Sequence, residues 1–443
     1  MAKTYRILAL GDSVMWGQGL HDADKFAQLT RNHIERTGRF EQVELLSLAH
    51  AGARIDQPQH GGPCTRDSSF LYGEVPRFLP NLYTQLAIAK GKDGYDTCLE
   101  ARSWDPPFWG RTKRQMAKQF LAYADAPPDL ILLSAGLNDF ASEQIVLPWS
   151  LEGGDEVLTR IVTAAEHGDE ATAGSPEGVA WMTDKDFKEL IDRRFIARVK
   201  TLLPEIGRMF PQTPVVVMGT YPLFTPGSLR KETVALDPRW GVLLGHGTEE
   251  RLFRAALHCA QAAERERFWN QAVGQSRLWY EFGNERLAAA IEEVNEAVGE
   301  RFFLARPEFG PDQGMLASGA LLFGLTPAVD ALLARLPELL GPPDRRPRVL
   351  APPESVTTGL GYAVGLALGM SLATDYETVA RTWAAMDFYV ASFTGQSDRF
   401  ATFVNGLMAG ASSAGYPNVR GAQVHAQAIQ GVLQAHAKSF GLA

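Results

Sequence analysis

Three short runs hold the residues of this chain best equipped for chemistry. The first, Gly11-Asp12-Ser13-Val14, follows directly on the apolar run 5–10. A serine at the carboxyl end of a strand, on a sharp turn opening a helix, exposes its hydroxyl and can aim its own backbone N–H at a developing oxyanion. Gly11 permits the tight turn. The same run can also be read as a plain helix cap, with Asp12 or Ser13 accepting a backbone hydrogen bond. The second run is Ser47-Leu48-Ala49-His50-Ala51-Gly52-Ala53. There Gly52 can bring a backbone N–H close to a substrate oxygen, or simply form a strand-to-helix turn. The third is Ser134-Ala135-Gly136-Leu137-Asn138-Asp139-Phe140. Its Gly-x-Asn-Asp spacing sets the Asn138 amide beside a strand end, where a donor to an oxyanion contributes about 2.7–4 kcal/mol to a transition state. An Asn-Asp turn or cap is the alternative.

These runs need elements to hold them. Residues 5–10, 42–48, 130–134 and 214–219 are short, continuous apolar runs, the pattern of strands buried on both faces of a parallel sheet. Between and after them lie helical stretches at 111–124, 186–209 and 248–300. Strands alternating with helices predict an α/β fold with helices on both faces. Further helices are expected at 328–340, at 374–408, and from about Val419 to about residue 438. The stretch Pro342 to Pro353 carries five prolines and reads as a linker or extended loop.

Taken together, in this order and with about 40 and about 85 residues between them, the three runs resemble the SGNH (GDSL-type) hydrolases, serine esterases and lipases whose sequence blocks supply a serine, a glycine, an asparagine and a histidine. The resemblance covers about residues 5–60, 128–142, 214–222 and 411–438. It implies a flavodoxin-like three-layer α/β/α sandwich of about five parallel strands, with residues 1–225 and 409–443 as the hydrolase core and 226–408 as a mainly helical insertion or cap. It also implies that Ser13 is the nucleophile and that the Ser13 N–H, the Gly52 N–H and the Asn138 amide form an oxyanion hole. Asp12 and Asp139 would support the turns around Ser13 and Asn138. The implied substrates are small-molecule, lipid or otherwise acylated esters.

The fourth block departs from the family. The pattern Asp-x-x-His-Pro-Asn, with a glycine three residues on, meets Ser413-Ala414-Gly415-Tyr416-Pro417-Asn418-Val419-Arg420-Gly421. Tyr416 stands at the histidine position and Ser413 at the aspartate position. A serine hydroxyl needs a base to take its proton, and a phenol with an ordinary pKa of about 10 is a poor base at neutral pH. Three readings stay open. Another histidine can serve, with His425, His50 and His60 as candidates; for His425 the alternative is a neutral ring packed on its helix. The chain can be a weak or inactive esterase fold that binds an acyl group. Or Tyr416 replaces a histidine present in an active parent.

Composition bounds the rest. The 443 residues carry 45% apolar and 21% charged side chains and a net charge of −8, the profile of a globular chain. No basic run stands out, which argues against nucleic acid as a partner. Cys64, Cys98 and Cys259 have no CxxC spacing and read as reduced thiols. The apolar run near the N-terminus is too short for a signal peptide, so a cytoplasmic location is expected. No HExxH, GxxxxGK[ST] or GxGxxG run occurs, so neither a metal nor a nucleotide cofactor is expected. Trp16, Trp104, Trp109 and Trp240 can line an acyl pocket or pack in a core or interface. The stretch 357–374 is uncharged, with Gly361, Gly365 and Gly369 at four-residue spacing. It is expected to be a buried or partner-facing helix, serving as a lid or pairing two copies of the chain, with a membrane contact as the lesser alternative.

Overall fold

The apolar runs become a single parallel sheet because each is apolar on both faces and has helices to cover both. The computed structural model describes residues 4–17, 20, 22–49, 53–55, 82–90, 127–140, 142–145, 181–228, 265–315, 317–322 and 416–443. The strands are Thr4–Gly11 (β1), Gln42–Ser47 (β2), Leu130–Ser134 (β3), Val215–Met218 (β4) and Phe302–Ala305 (β5). Their order is β2-β1-β3-β4-β5 and every pairing is parallel. This is the flavodoxin-like order of a doubly wound sheet. The central β3 and β4 are buried along their whole length.

The helices are Ser13–Trp16 (α1), Phe26–Arg36 (α2), Leu82–Ala89 (α3), Leu137–Phe140 (α4), Asp184–Ile191 (α5), Ala197–Met209 (α6), Arg265–Val298 (α7) and Val419–Ala435 (α8). α2 packs against β2, α3 against β1, and α7 against α5 and α6; right-handed crossovers, the rule for parallel strands, would set α2 on one face and the others opposite. The last helix, α8, packs against α2, β4 and β5, completing the first face. Thr183 opens α5 with a reciprocal cap, in which its hydroxyl accepts from Asp186 N–H and the Asp186 carboxylate accepts from the Thr183 N–H. One π-helical turn, Asp192–Ile196, joins α5 to α6 and buries Phe195 against Trp279 and the Gly136 turn.

Residues 302–305 lie within the proposed insertion 226–408, yet they form the sheet edge next to β4, and α7 packs against α5, α6 and β5. Asn295, near the end of α7, fixes the turn into β5. Its amide oxygen accepts from Arg301 N–H at 3.1 Å and Phe302 N–H at 3.0 Å, and its nitrogen donates to the Phe302 carbonyl at 2.8 Å. Residues 265–305 therefore belong to the sheet layers. The helices expected at 111–124, 328–340 and 374–408, the proline-rich 342–353 and the uncharged 357–374 lie outside the described residues. Among the described residues no helix is long and apolar enough to cross a membrane.

Gly136, just past β3, adopts φ +108° and sits against Phe195, whose Cδ2 would lie 2.1 Å from a Cβ added there. Positive φ and overpacking both disfavour any side chain at this point. Gly136→Ala is expected to lose about 2–5 kcal/mol of stability, read as a lower urea midpoint; an unchanged midpoint would show that the turn is free to rearrange.

Candidate active site

The end of β1 is built by four residues from three elements. Gly11 has φ +147°, and a Cβ there would fall 2.3 Å from the Ser134 carbonyl oxygen. Only glycine lets β1 and β3 close at this rung. The buried amide of Gln85, on α3, holds Gly11 from both sides: its oxygen accepts from Gly11 N–H at 2.7 Å and its nitrogen donates to the Gly11 carbonyl at 2.8 Å. Asp12 caps α1 by accepting from Val14 N–H at 3.0 Å, and it also accepts from the Ser134 hydroxyl at 2.9 Å. Burial pushes the Asp12 carboxyl up to about 6, against the lowering effect of those two bonds and with the neighbouring Asp139 adding to the rise. Ser13 follows, 1% exposed, and its hydroxyl has no hydrogen-bond partner among the described residues.

At the end of β3, the Asn138 amide donates to the Ala53 carbonyl at 2.9 Å. The Asp139 carboxylate is buried on the same turn. Both of its oxygens accept from Ile55 N–H at 3.0 Å, and Arg198 on α6 binds it at 2.9 Å. Asn138 and Asp139 thus hold residues 53–55 to the β3 turn. Gly52, His50 and His60 lie outside the described residues.

The loop carrying Tyr416 is anchored at several points. Asn418 N–H donates to the Leu321 carbonyl at 2.9 Å, and the Asn418 side chain donates to the Ala320 carbonyl at 3.0 Å. The Asn418 oxygen caps α8 by accepting from Gly421 N–H at 3.0 Å. A Cβ at Gly421 would fall 2.0 Å from the Leu321 carbonyl oxygen, so this position must stay small. The Pro-Asn-x-x-Gly spacing is therefore a docking device for the helix, which accounts for its presence without the histidine. Tyr416 itself is 8% exposed. Ser413 lies outside the described residues.

His425 is a core ring. It stacks on Phe26 with centroids 5.4 Å apart and meets Tyr221 and Phe309 edge to face at 5.6 and 6.1 Å. Its Nδ1 lies 2.8 Å from the Gly421 carbonyl, which can only accept, so Nδ1 carries the proton and Nε2 the lone pair. Among the described residues Nε2 has no partner, and neither does Ser13 Oγ, so no hydrogen bond joins the two. Burial pulls the His425 pKa down to about 4, only partly offset by the Gly421 bond.

Sequence reading passed over Tyr221. It follows β4 in Gly219-Thr220-Tyr221-Pro222, and nothing in that run marks chemistry. Its ring stacks on Phe309 at 5.8 Å, and its hydroxyl is buried without a partner among the described residues. Trp16, on α1, is buried beneath the Lys25 ammonium, 3.8 Å from the ring centroid; Trp104, Trp109 and Trp240 lie outside the described residues.

No family model matches the sequence, and no curated protein matches it. Among solved structures, an extracellular lipase from Streptomyces rimosus is similar at 14% identity and a TM-score of 0.30, over 73% of this chain and 88% of that one. Phospholipase A1 from Streptomyces albidoflavus is similar at 13% identity and a TM-score of 0.31, over 73% of this chain and 88% of that one. A family two carbohydrate esterase from Clostridium thermocellum is similar at 10% identity and a TM-score of 0.26, over 68% of this chain and 53% of that one. Likenesses this distant say nothing about the side chains of the site.

The two perturbed groups pull stability in opposite directions. The unfolded chain protonates His425 near its ordinary 6.5, the folded chain only near 4. Stability from this group is therefore full above the higher value and falls as pH drops through that window. Asp12 acts in reverse, favouring the fold below its ordinary 3.8 and losing that contribution as pH rises through about 6. His425→Phe is expected to remove up to about 3 kcal/mol of acid sensitivity, at 1.36 kcal/mol per pH unit, leaving the Asp12 slope exposed. Urea unfolding at several pH values between the two ordinary pKa values reads this. An acid-side slope unchanged in the variant would mean that the ring is not held neutral.

Proposed function

We propose that this chain is a serine ester hydrolase in which Ser13 forms an acyl-enzyme. The observation that carries the reading is the Ser13 hydroxyl, buried and unpartnered at the end of β1, one strand from the Asn138 turn. Ser13 Oγ attacks the ester carbonyl. Its proton passes to a base as the tetrahedral intermediate forms, and the alcohol leaves with a proton. Water then repeats the sequence on the acyl-serine. The carbonyl oxygen is held by the N–H groups of Ser13 and Gly52 and by the Asn138 amide. Asn138 would have to release the Ala53 carbonyl, or share its second amide hydrogen. The substrates are acylated small molecules or lipids.

Tyr416 stands at the histidine position, and a phenol of ordinary pKa offers a hydrogen rather than a lone pair at neutral pH. That favours a second reading, a fold that binds acyl compounds with little or no turnover. Release of p-nitrophenol from short and medium chain esters separates the two. Tyr416→His is expected to raise kcat by about 10²-fold or more, and Ser13→Ala to remove the activity in both backgrounds. Asn138→Ala in the Tyr416→His background is expected to cost about 10²–10³ in kcat. If no variant shows turnover that depends on Ser13, the hydrolase reading fails. If the unmodified chain is already fast, a base other than Tyr416 serves it.

A further inference from the structure

Two hydroxyls among the described residues are buried at strand ends without a partner: Ser13 Oγ after β1 and Tyr221 Oη after β4. The turns that carry them are built alike. The Gln85 amide holds both polar groups of Gly11. The buried Asn284 amide of α7 does the same for Thr220, accepting from its N–H at 2.9 Å and donating to its carbonyl at 3.0 Å. The Thr220 hydroxyl adds a bond to the Trp279 carbonyl at 2.8 Å. Gly219 makes room for this clamp, since a Cβ there would fall 2.3 Å from Asn284 Oδ1. The Tyr221 ring, stacked on Phe309 and set against the edge of His425, has little freedom to turn. Its hydroxyl therefore has one position, and a buried donor kept in one position without a partner calls for an explanation. Burial, with Tyr416 and Asp12 nearby, holds the phenol protonated well above its ordinary range, which makes it a donor and not a base.

We propose that Tyr221 contacts the substrate at Ser13, donating its phenolic hydrogen bond to the alkoxy oxygen of the ester. This rests on the serine hydrolase reading. The carbonyl oxygen is already assigned to the β2 and β3 turns, whereas the Tyr221 ring comes from the β4 turn and meets His425 of α8 edge to face, which leaves its hydroxyl to the alkoxy oxygen. The proton stays on the phenol. The hydrogen bond strengthens as the carbon–oxygen bond breaks and charge gathers on the alkoxy oxygen, so it acts in the transition state more than in the ground state. Sulfur accepts hydrogen bonds weakly, so the contact selects oxygen esters over thioesters.

The test compares the full chain with Tyr221→Phe, each with and without Tyr416→His, on an alkyl ester and an alkyl thioester of the same acid, together with urea unfolding. The expected result is a kcat on the oxygen ester lower by about 10²-fold, with KM and thioester turnover little changed. Stability should be equal or higher, because the variant removes only an unsatisfied buried hydroxyl. An unaltered kcat on the oxygen ester overturns the assignment, and so does an equal loss on both substrates, which would mark a packing role. Absence of Ser13-dependent turnover in both backgrounds overturns the hydrolase reading and this contact with it.

Discussion

The site depends on how closely β1 approaches β3 at its last rung. Gly11 pairs with Ser134 in register, Asp12 N–H donates to the Ser134 carbonyl at 3.2 Å, and the Ser134 hydroxyl returns a bond to Asp12. Ser13 lies two residues past this rung after β1, and Asn138 four residues past it after β3. The Ser13 and Asn138 turns are thus placed by the same rung of the ladder. Their separation is fixed by backbone geometry, not by the packing of long side chains. In a parallel sheet the carboxyl ends of neighbouring strands are where such turns can be held side by side.

Two buried carboxylates flank that rung, and the fold satisfies them differently. Asp139 has a guanidinium and a backbone N–H. Asp12 has only neutral donors, a hydroxyl and helix N–H groups, so burial wins and its pKa rises. The edge of the sheet therefore pairs its carboxylate with a cation near residues 53–55 and leaves the one beside Ser13 to neutral donors.

Much of this was legible in the residues. Four strands announced themselves because continuous Val, Ile and Leu runs have few other uses, and the Ser13 and Asn138 turns stood out by glycine and amide spacing. β5 did not, because Phe302-Phe303-Leu304-Ala305 is only four residues long and sits between Arg301 and Arg306 after a long charged helix. The amide clamps of Gln85 and Asn284 were illegible for a different reason. A glutamine or asparagine inside a helix carries no mark of the distant backbone it will bind, and the partners lie 74 and 64 residues away. Tyr221 was hidden likewise, since its significance lies in a missing partner that only coordinates reveal. His425 was legible in part: a histidine on the apolar stripe of α8 can be core, and the three aromatic rings around it make it so.

Leu322 and Pro417 form an isolated antiparallel bridge, and Asn418 hydrogen-bonds the carbonyls of residues 320–322. Residues 322 and 417 are therefore held side by side, and the first turn of α8 is set by backbone groups far from it in the chain. Closing a long stretch of chain costs entropy that grows only with the logarithm of its length, about 0.6 kcal/mol for each doubling. A few short contacts at Leu321, Pro417 and Gly421 can therefore act as a clasp that fixes where the last helix begins.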